Sequence, residues 1–119
     1  MSSTRVLLVD DDQATADLYA LKLRLDGHTV EVAYDAPSAE QLFWQTSPRV
    51  VCVDYWLPGG PGTELAQRLA DRGAAVILLT NDQVSYEQPP AGVRSLLKAQ
   101  TEPGRLSRTV SELADRFRH

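Results

Sequence analysis

The chain is poor in the residues that make covalent staples and zinc centres. It holds one cysteine, Cys52, so no disulfide can form within it. Its two histidines, His28 and His119, are far apart and show no ligand spacing, which argues against zinc. No apolar run approaches the roughly 20 residues that span a bilayer. The run nearest the N-terminus, Val6-Leu7-Leu8-Val9, is too short for a secretory leader. Basic residues are outnumbered 12 to 16, and a net charge of −4 leaves no footprint for nucleic acid. Repeats, low-complexity tracts and linkers are absent. These absences predict a cytoplasmic protein in a reducing compartment, with no direct nucleic-acid or membrane binding.

What is present suits an ordinary globular chain. Its 119 residues are enough for one hydrophobic core, so residues 1–119 read as a single domain, either a stand-alone protein or a piece of a longer one. Charge is uneven: residues 1–48 carry eight acidic and three basic residues, residues 94–119 six basic and three acidic. Solvated helix faces are the plainer reading of this asymmetry, and a weak docking dipole is the alternative.

Strand-like and helix-like segments alternate, the pattern of an α/β fold with a parallel sheet between helices. Strands are expected at Arg5–Val9, Thr29–Ala33, Val50–Val53, Ala75–Leu79 and Val93–Leu97. Val30 and Val32 alternate with polar neighbours, which marks an edge strand. Val50–Val53, containing Cys52, is continuously apolar and should be buried on both faces. A first helix over Gln13–Asp26 carries a helical stripe of Ala14, Leu18, Leu21 and Leu25, with Gly27 suited to its C-terminal cap. Pro37 and Pro48 bracket a second helix with Ala39, Leu42 and Phe43. A third carries Leu65, Ala66 and Leu69 and ends near Gly73. Pro89-Pro90 allows at most one helical turn around Asp82–Glu87. Pro103 opens a last helix with Leu106, Val110, Leu113 and Phe117 on one face.

Four strands end in residues that phosphoryl chemistry would use: Asp10-Asp11-Asp12, Asp54, Thr80 and Lys98. Ligands of open parallel sheets bind outside the carboxyl ends of the strands. A carboxylate such as Asp54 can attack phosphorus to give an acyl phosphate. Beside Asp10 and Asp11 it would resist ionisation, unless a hard divalent cation neutralised the cluster. The added phosphoryl charge, about −1.5 to −2, would need donors, which Thr80 and Lys98 can supply. Each residue alone has a plainer reading. Asp12 is best read as a helix cap. Asp54 could be a turn residue, Thr80 a cap and Lys98 a surface cation. Their common placement favours a site, and so does the scarcity of lysine, two residues against ten arginines.

At these residues the chain resembles the receiver domain of bacterial response regulators. The resemblance rests on Asp10-Asp11 after Val-Leu-Leu-Val, on the Asp54-x-x-Leu57-Pro58-Gly59 loop with Gly62, and on Thr80 and Lys98. It implies a flavodoxin-like, three-layer fold whose five parallel strands lie in the order 2-1-3-4-5. It implies that a histidine kinase or histidine phosphotransfer protein gives a phosphoryl group to Asp54. Mg²⁺ or Mn²⁺ would be held by Asp11, Asp54 and the backbone carbonyl of Trp56, with Asp10 acting largely through a metal-bound water. Thr80 and Lys98 would hold phosphoryl oxygens. Such a domain assists its own phosphorylation and dephosphorylation but is otherwise no enzyme. It switches contacts with a downstream effector protein or domain, and a homodimer is compatible with it.

The chain departs from that pattern at four places. Ala99 follows Lys98 where a cis-forming proline is usual; a cis non-proline bond costs about 2.5–4 kcal/mol, so either strain is present or the loop is rearranged. Asn81 follows Thr80, where it could crowd incoming phosphodonors or add a donor. Ser95 stands where many members carry an aromatic ring that couples to the threonine. The stretch between Thr80 and Lys98 is short, so the fourth helix should be shortened or absent, and the signal is expected to leave through the first and last helices. Trp56 and Asp82 occupy positions that tune phosphoryl lifetime in this family, and a bulky indole should slow hydrolysis; simple packing of Trp56 on the loop is the plainer alternative. Two competing readings follow. One is a receiver-like interaction module that works without phosphorylation. The other, an aspartyl phosphatase like the haloacid dehalogenases, wants an aspartate where Trp56 stands.

Overall fold

The computed structural model describes residues 4–116. The five expected strands form one parallel sheet: β1 (Arg5–Val9), β2 (Thr29–Ala33), β3 (Val50–Asp54), β4 (Ala75–Thr80) and β5 (Val93–Leu97), in the order β2-β1-β3-β4-β5. The helices are α1 (Gln13–Leu25), α2 (Ala36–Thr46), α3 (Thr63–Asp71), α4 (Gln83–Glu87) and α5 (Pro103–Arg116). Every residue of β3 and β4 is buried, as their unbroken apolar runs require of strands covered on both faces. β2 lies at the edge and exposes Thr29 and Glu31, which explains its alternation.

The pleat sorts the core into two layers. Val6, Leu8, Val50, Cys52, Ile77 and Leu79 pack on one side with residues of α1 and α5. Leu7, Val9, Val51, Val53, Val76 and Leu78 pack on the other with residues of α2 and α3. Cys52 is fully buried, and burial pushes its thiol up to about 12, so it is an inert packing residue. No helix among the described residues is long and apolar enough to cross a membrane.

Local sequence explains most helix ends. Gly27, at φ +96°, caps α1: its N–H donates to Arg24 O and that of His28 to Leu23 O, both at 3.0 Å, a Schellman arrangement that favours glycine. Asp35 caps α2 by accepting from the Ser38 N–H at 2.8 Å. Asp12 stands at the cap position of α1 as expected, though its carboxylate accepts from the Thr15 hydroxyl and not from a backbone amide. α4 is a five-residue turn closed off before Pro89-Pro90. In α5, Leu106, Val110 and Leu113 are buried as expected; Phe117, the next in that stripe, lies outside the described residues, as does His119.

α1 overturns the simplest use of its stripe. Ala14, Leu18, Leu21 and Leu25 face solvent, the three leucines 60%, 56% and 72% exposed. The face turned to the sheet is Ala16, Tyr19, Ala20 and Leu23. Two alanines on that inner face fit close approach of the helix to the strands. Tyr19 takes its hydroxyl to Thr101 O at 2.8 Å, satisfying its one polar atom.

Candidate functional site

β1 and β3 lie side by side, so the residues at their carboxyl ends meet: Asp10 just past β1 and Asp54 closing β3. Asp10 is wholly buried, and its Oδ1 accepts from the Asp12 N–H at 3.0 Å. The Asp54 side chain is 7% exposed. β5 brings in Lys98, whose Nζ lies 3.0 Å from Asp54 Oδ1 and 3.2 Å from Asp10 Oδ2. Asp11 is exposed at the rim. One carboxylate oxygen from each of Asp10, Asp11 and Asp54 lies within 4.8 Å of the others.

The charges in this crevice do not balance. Burial, with the neighbouring charges of Asp10 and Asp11, pushes Asp54 up to about 6 despite the Lys98 hydrogen bond. Burial works against the Lys98 ammonium too, but Asp54 and Asp10 outweigh it and hold its pKa above the ordinary value. Three carboxylates and one ammonium leave two negative charges, which one dication cancels. A cluster of hard carboxylate oxygens with an open rim is the donor set that Mg²⁺ or Mn²⁺ takes, so the residues present fit such an ion.

The remaining predicted residues sort differently. Thr80 closes β4 and is buried, but its hydroxyl is engaged: Oγ1 accepts from the Asp82 N–H at 2.9 Å and lies 3.3 Å from Ser85 Oγ. Asp82 caps α4, accepting from the Ser85 N–H at 2.9 Å and the Ser85 hydroxyl at 2.7 Å; these two bonds hold its carboxyl below the usual range. Trp56 is 65% exposed on a short antiparallel hairpin (Trp56–Leu57 with Gly60–Pro61), edge-on to Tyr55 at 4.9 Å. Ser95 donates to Tyr86 O at 2.6 Å, tying β5 to α4. The segment Lys98–Gln100 is a 3₁₀ turn, and its peptide bonds are trans. Asn81 Oδ1 accepts from the Ala99 N–H at 2.8 Å.

Two further contributors differ in how far sequence could announce them. Asp82, three residues before Ser85 at the start of α4, is a local N-cap signal. Tyr19 anchors the turn after Lys98 through Thr101, from 82 residues away, and nothing local could announce it.

Comparisons with known proteins identify the family and the fold. Residues 6–102 match the family described as the response regulator receiver domain. The sensory transduction protein RegX3 of Mycolicibacterium smegmatis is 34% identical over 76 residues, which cover 64% of this chain and 33% of that protein. This chain thus matches about a third of that relative's length. Among solved structures, the receiver domain of NtrX from Brucella abortus is 25% identical with a TM-score of 0.81, covering 92% of this chain and 98% of that one. A CheY-like receiver domain protein from Methanospirillum hungatei, 24% identical with a TM-score of 0.80 over 97% and 96% of the two chains, shares the fold.

Proposed function

This chain belongs to the response regulator receiver domain family, signalling modules rather than classical enzymes, and from that premise we propose that it is a phosphorylation switch with Asp54 as acceptor. The supporting observation is the buried Asp54 carboxylate, bridged to Asp10 by the Lys98 ammonium at the carboxyl end of the sheet. An Asp54 oxygen attacks the phosphorus of a phosphohistidine on a kinase or phosphotransfer protein. The new O–P bond forms as the P–N bond breaks, and the electron pair returns to the imidazole. A divalent cation at Asp10, Asp11, Asp54 and the Trp56 carbonyl would supply the charge neutralisation that lets Asp54 ionise and a phosphoryl dianion approach. Lys98 then exchanges part of its contact with Asp54 for a phosphoryl oxygen. The Thr80 hydroxyl must turn its proton away from Ser85 to donate to another, which couples phosphorylation to the start of α4. The exposed Trp56 indole, two residues from Asp54, slows hydrolysis of the acyl phosphate. Asn81 and Asp82 modulate the site from the β4–α4 connection. The output is altered contact with a downstream protein or domain, in the cytoplasm.

Acetyl phosphate with Mg²⁺ tests this directly. Intact-mass analysis is expected to show one added phosphoryl group, removed by hydroxylamine, mapped to Asp54 and absent from Asp54→Asn. A wild-type protein that takes up no phosphoryl group would instead favour the module that works without phosphorylation.

The exposed stripe of α1 gives the phosphodonor protein a place to dock. It starts at Ala14, four residues past Asp10, and runs away from the rim of the site with the 4-3-4 spacing of a helix–helix seam. A donor helix laid on Leu18 and Leu21 would bring its histidine to that rim. Leu18→Glu and Leu21→Glu should leave thermal stability and acetyl phosphate labelling unchanged, because both side chains are exposed. Transfer from whichever kinase of the source organism phosphorylates the wild type should fall at least tenfold. Undiminished transfer would place the donor elsewhere.

A further inference from the structure

Lys98 is the one cation in contact with both buried carboxylates among the described residues, so whatever holds Lys98 in place also sets the geometry for an incoming anion. Its own backbone cannot do this. The turn it begins is three residues long, too short to satisfy its own amides. The downstream end is pinned from α1, because Tyr19 donates to Thr101 O at 2.8 Å and the Thr101 hydroxyl donates to Leu97 O at 2.7 Å. From the β4 side, a side chain reaches the middle of the turn. Asn81 Oδ1 accepts from the Ala99 N–H at 2.8 Å, next to Lys98.

Asn81 also follows Thr80 directly. Thr80 and Leu97 form the last register pair between β4 and β5. Beyond that pair the two strands lose their ladder, and the Asn81–Ala99 bond carries the connection one step further. It therefore links the residue after one anion donor, the Thr80 hydroxyl, to the residue after the other, the Lys98 ammonium. A residue without a backbone N–H at position 99 could not complete the link.

We propose that Asn81 is a positioning residue that, through Ala99, holds the Lys98 turn against β4 so that Lys98 and Thr80 converge on a phosphoryl group at Asp54. This rests on the phosphoacceptor reading and deepens it. It assigns Asn81 a constructive part, opposite in sign to steric crowding of the site. It also predicts selectivity: the anion site depends on Asn81, whereas the cation site at Asp10, Asp11 and Asp54 lies on β1 and β3 and does not.

The test measures Mg²⁺ and beryllofluoride binding by calorimetry in Asn81→Ala and Asn81→Leu, with amide exchange of Ala99 followed by NMR. Both variants remove the acceptor; leucine keeps about the bulk. If the hydrogen bond matters, both lose protection at Ala99, keep Mg²⁺ affinity within about twofold, and bind beryllofluoride about fivefold more weakly, the factor of one net neutral hydrogen bond. If Asn81 merely crowds the site, the alanine variant binds beryllofluoride more tightly and the leucine variant does not, which overturns the proposal. Loss of Ala99 protection with unchanged beryllofluoride binding overturns it as well. Wild-type protein that binds Mg²⁺ but not beryllofluoride would sink the phosphoacceptor reading itself, and this role with it.

Discussion

Gly62→Ala should be among the most damaging single-methyl changes in this protein, costing about 3 kcal/mol and lowering Tm by about 10 °C. The reason is space, since the φ of −75° at Gly62 suits any residue. A Cβ there would stand 2.3 Å from Asp54 O and 2.9 Å from Val53 Cγ1. The backbone carbonyl of Asp54 cannot yield without moving the Asp54 side chain. Nor can the glycine retreat, because its N–H donates to Tyr55 O at 2.5 Å, closing the loop that leaves β3 and returns to α3. The substitution should therefore damage function as well as stability, with acetyl phosphate labelling at least tenfold slower even below the melting range. Gly104→Ala is the matched control. In α5 the new methyl meets nothing nearer than 3.6 Å, and alanine is the better helix former, so Tm should hold or rise. Equal melting of the Gly62→Ala variant and wild type would refute the steric account.

Asp54→Asn should make the metal-free protein more stable. The native pKa of Asp54, about 6, lies above its unfolded value near 4. Between those values the native state holds more protons than the unfolded chain, so stability falls as pH rises through this window and stays low above it. The deficit amounts to about 3 kcal/mol at neutral pH, since each pH unit separating the two pKa values is worth about 1.4 kcal/mol. Asparagine keeps the shape without the charge. In EDTA at pH 7 the variant should therefore unfold at higher urea than wild type by an amount of that order, and the gap should close toward pH 4. Excess Mg²⁺ should narrow or reverse the gap, because a cation held by the native carboxylate cluster stabilises only the folded wild type. Taking the difference between the two proteins removes the other carboxylates, such as Asp35 and Asp82, whose lowered pKa values act in the opposite direction and equally in both. A gap that is absent at pH 7 would mean that Asp54 carries no such burden.

Much of this molecule was legible in one dimension because its signals are local. Strand period, the Pro37 and Pro103 starts, Gly27 as a cap, and apolar runs ending in Asp10, Asp54, Thr80 and Lys98 all depend on neighbours within a few residues. The parallel sheet then followed from alternating β and α segments and the crevice from the direction of the strands, whereas the strand order came with the resemblance to receiver domains. The shortening of α4 was legible for the same reason, since Pro89-Pro90 cannot continue a helix.

Tertiary structure alone decided which face of α1 is covered. Periodicity shows that Ala14, Leu18, Leu21 and Leu25 share a face, but the sheet takes the face that fits its own contour, and Ala16, Ala20 and Tyr19 fit it better. It alone decided that the Thr80 hydroxyl is engaged with Ser85 and the Asp82 amide, that Tyr19 reaches Thr101, and that Asn81 reaches Ala99. These are contacts between groups that meet only after the strands have aligned. The residues that carry charge were determined by the sequence, since each ends a locally coded strand; what holds them in place was decided by packing, since those partners lie on other elements.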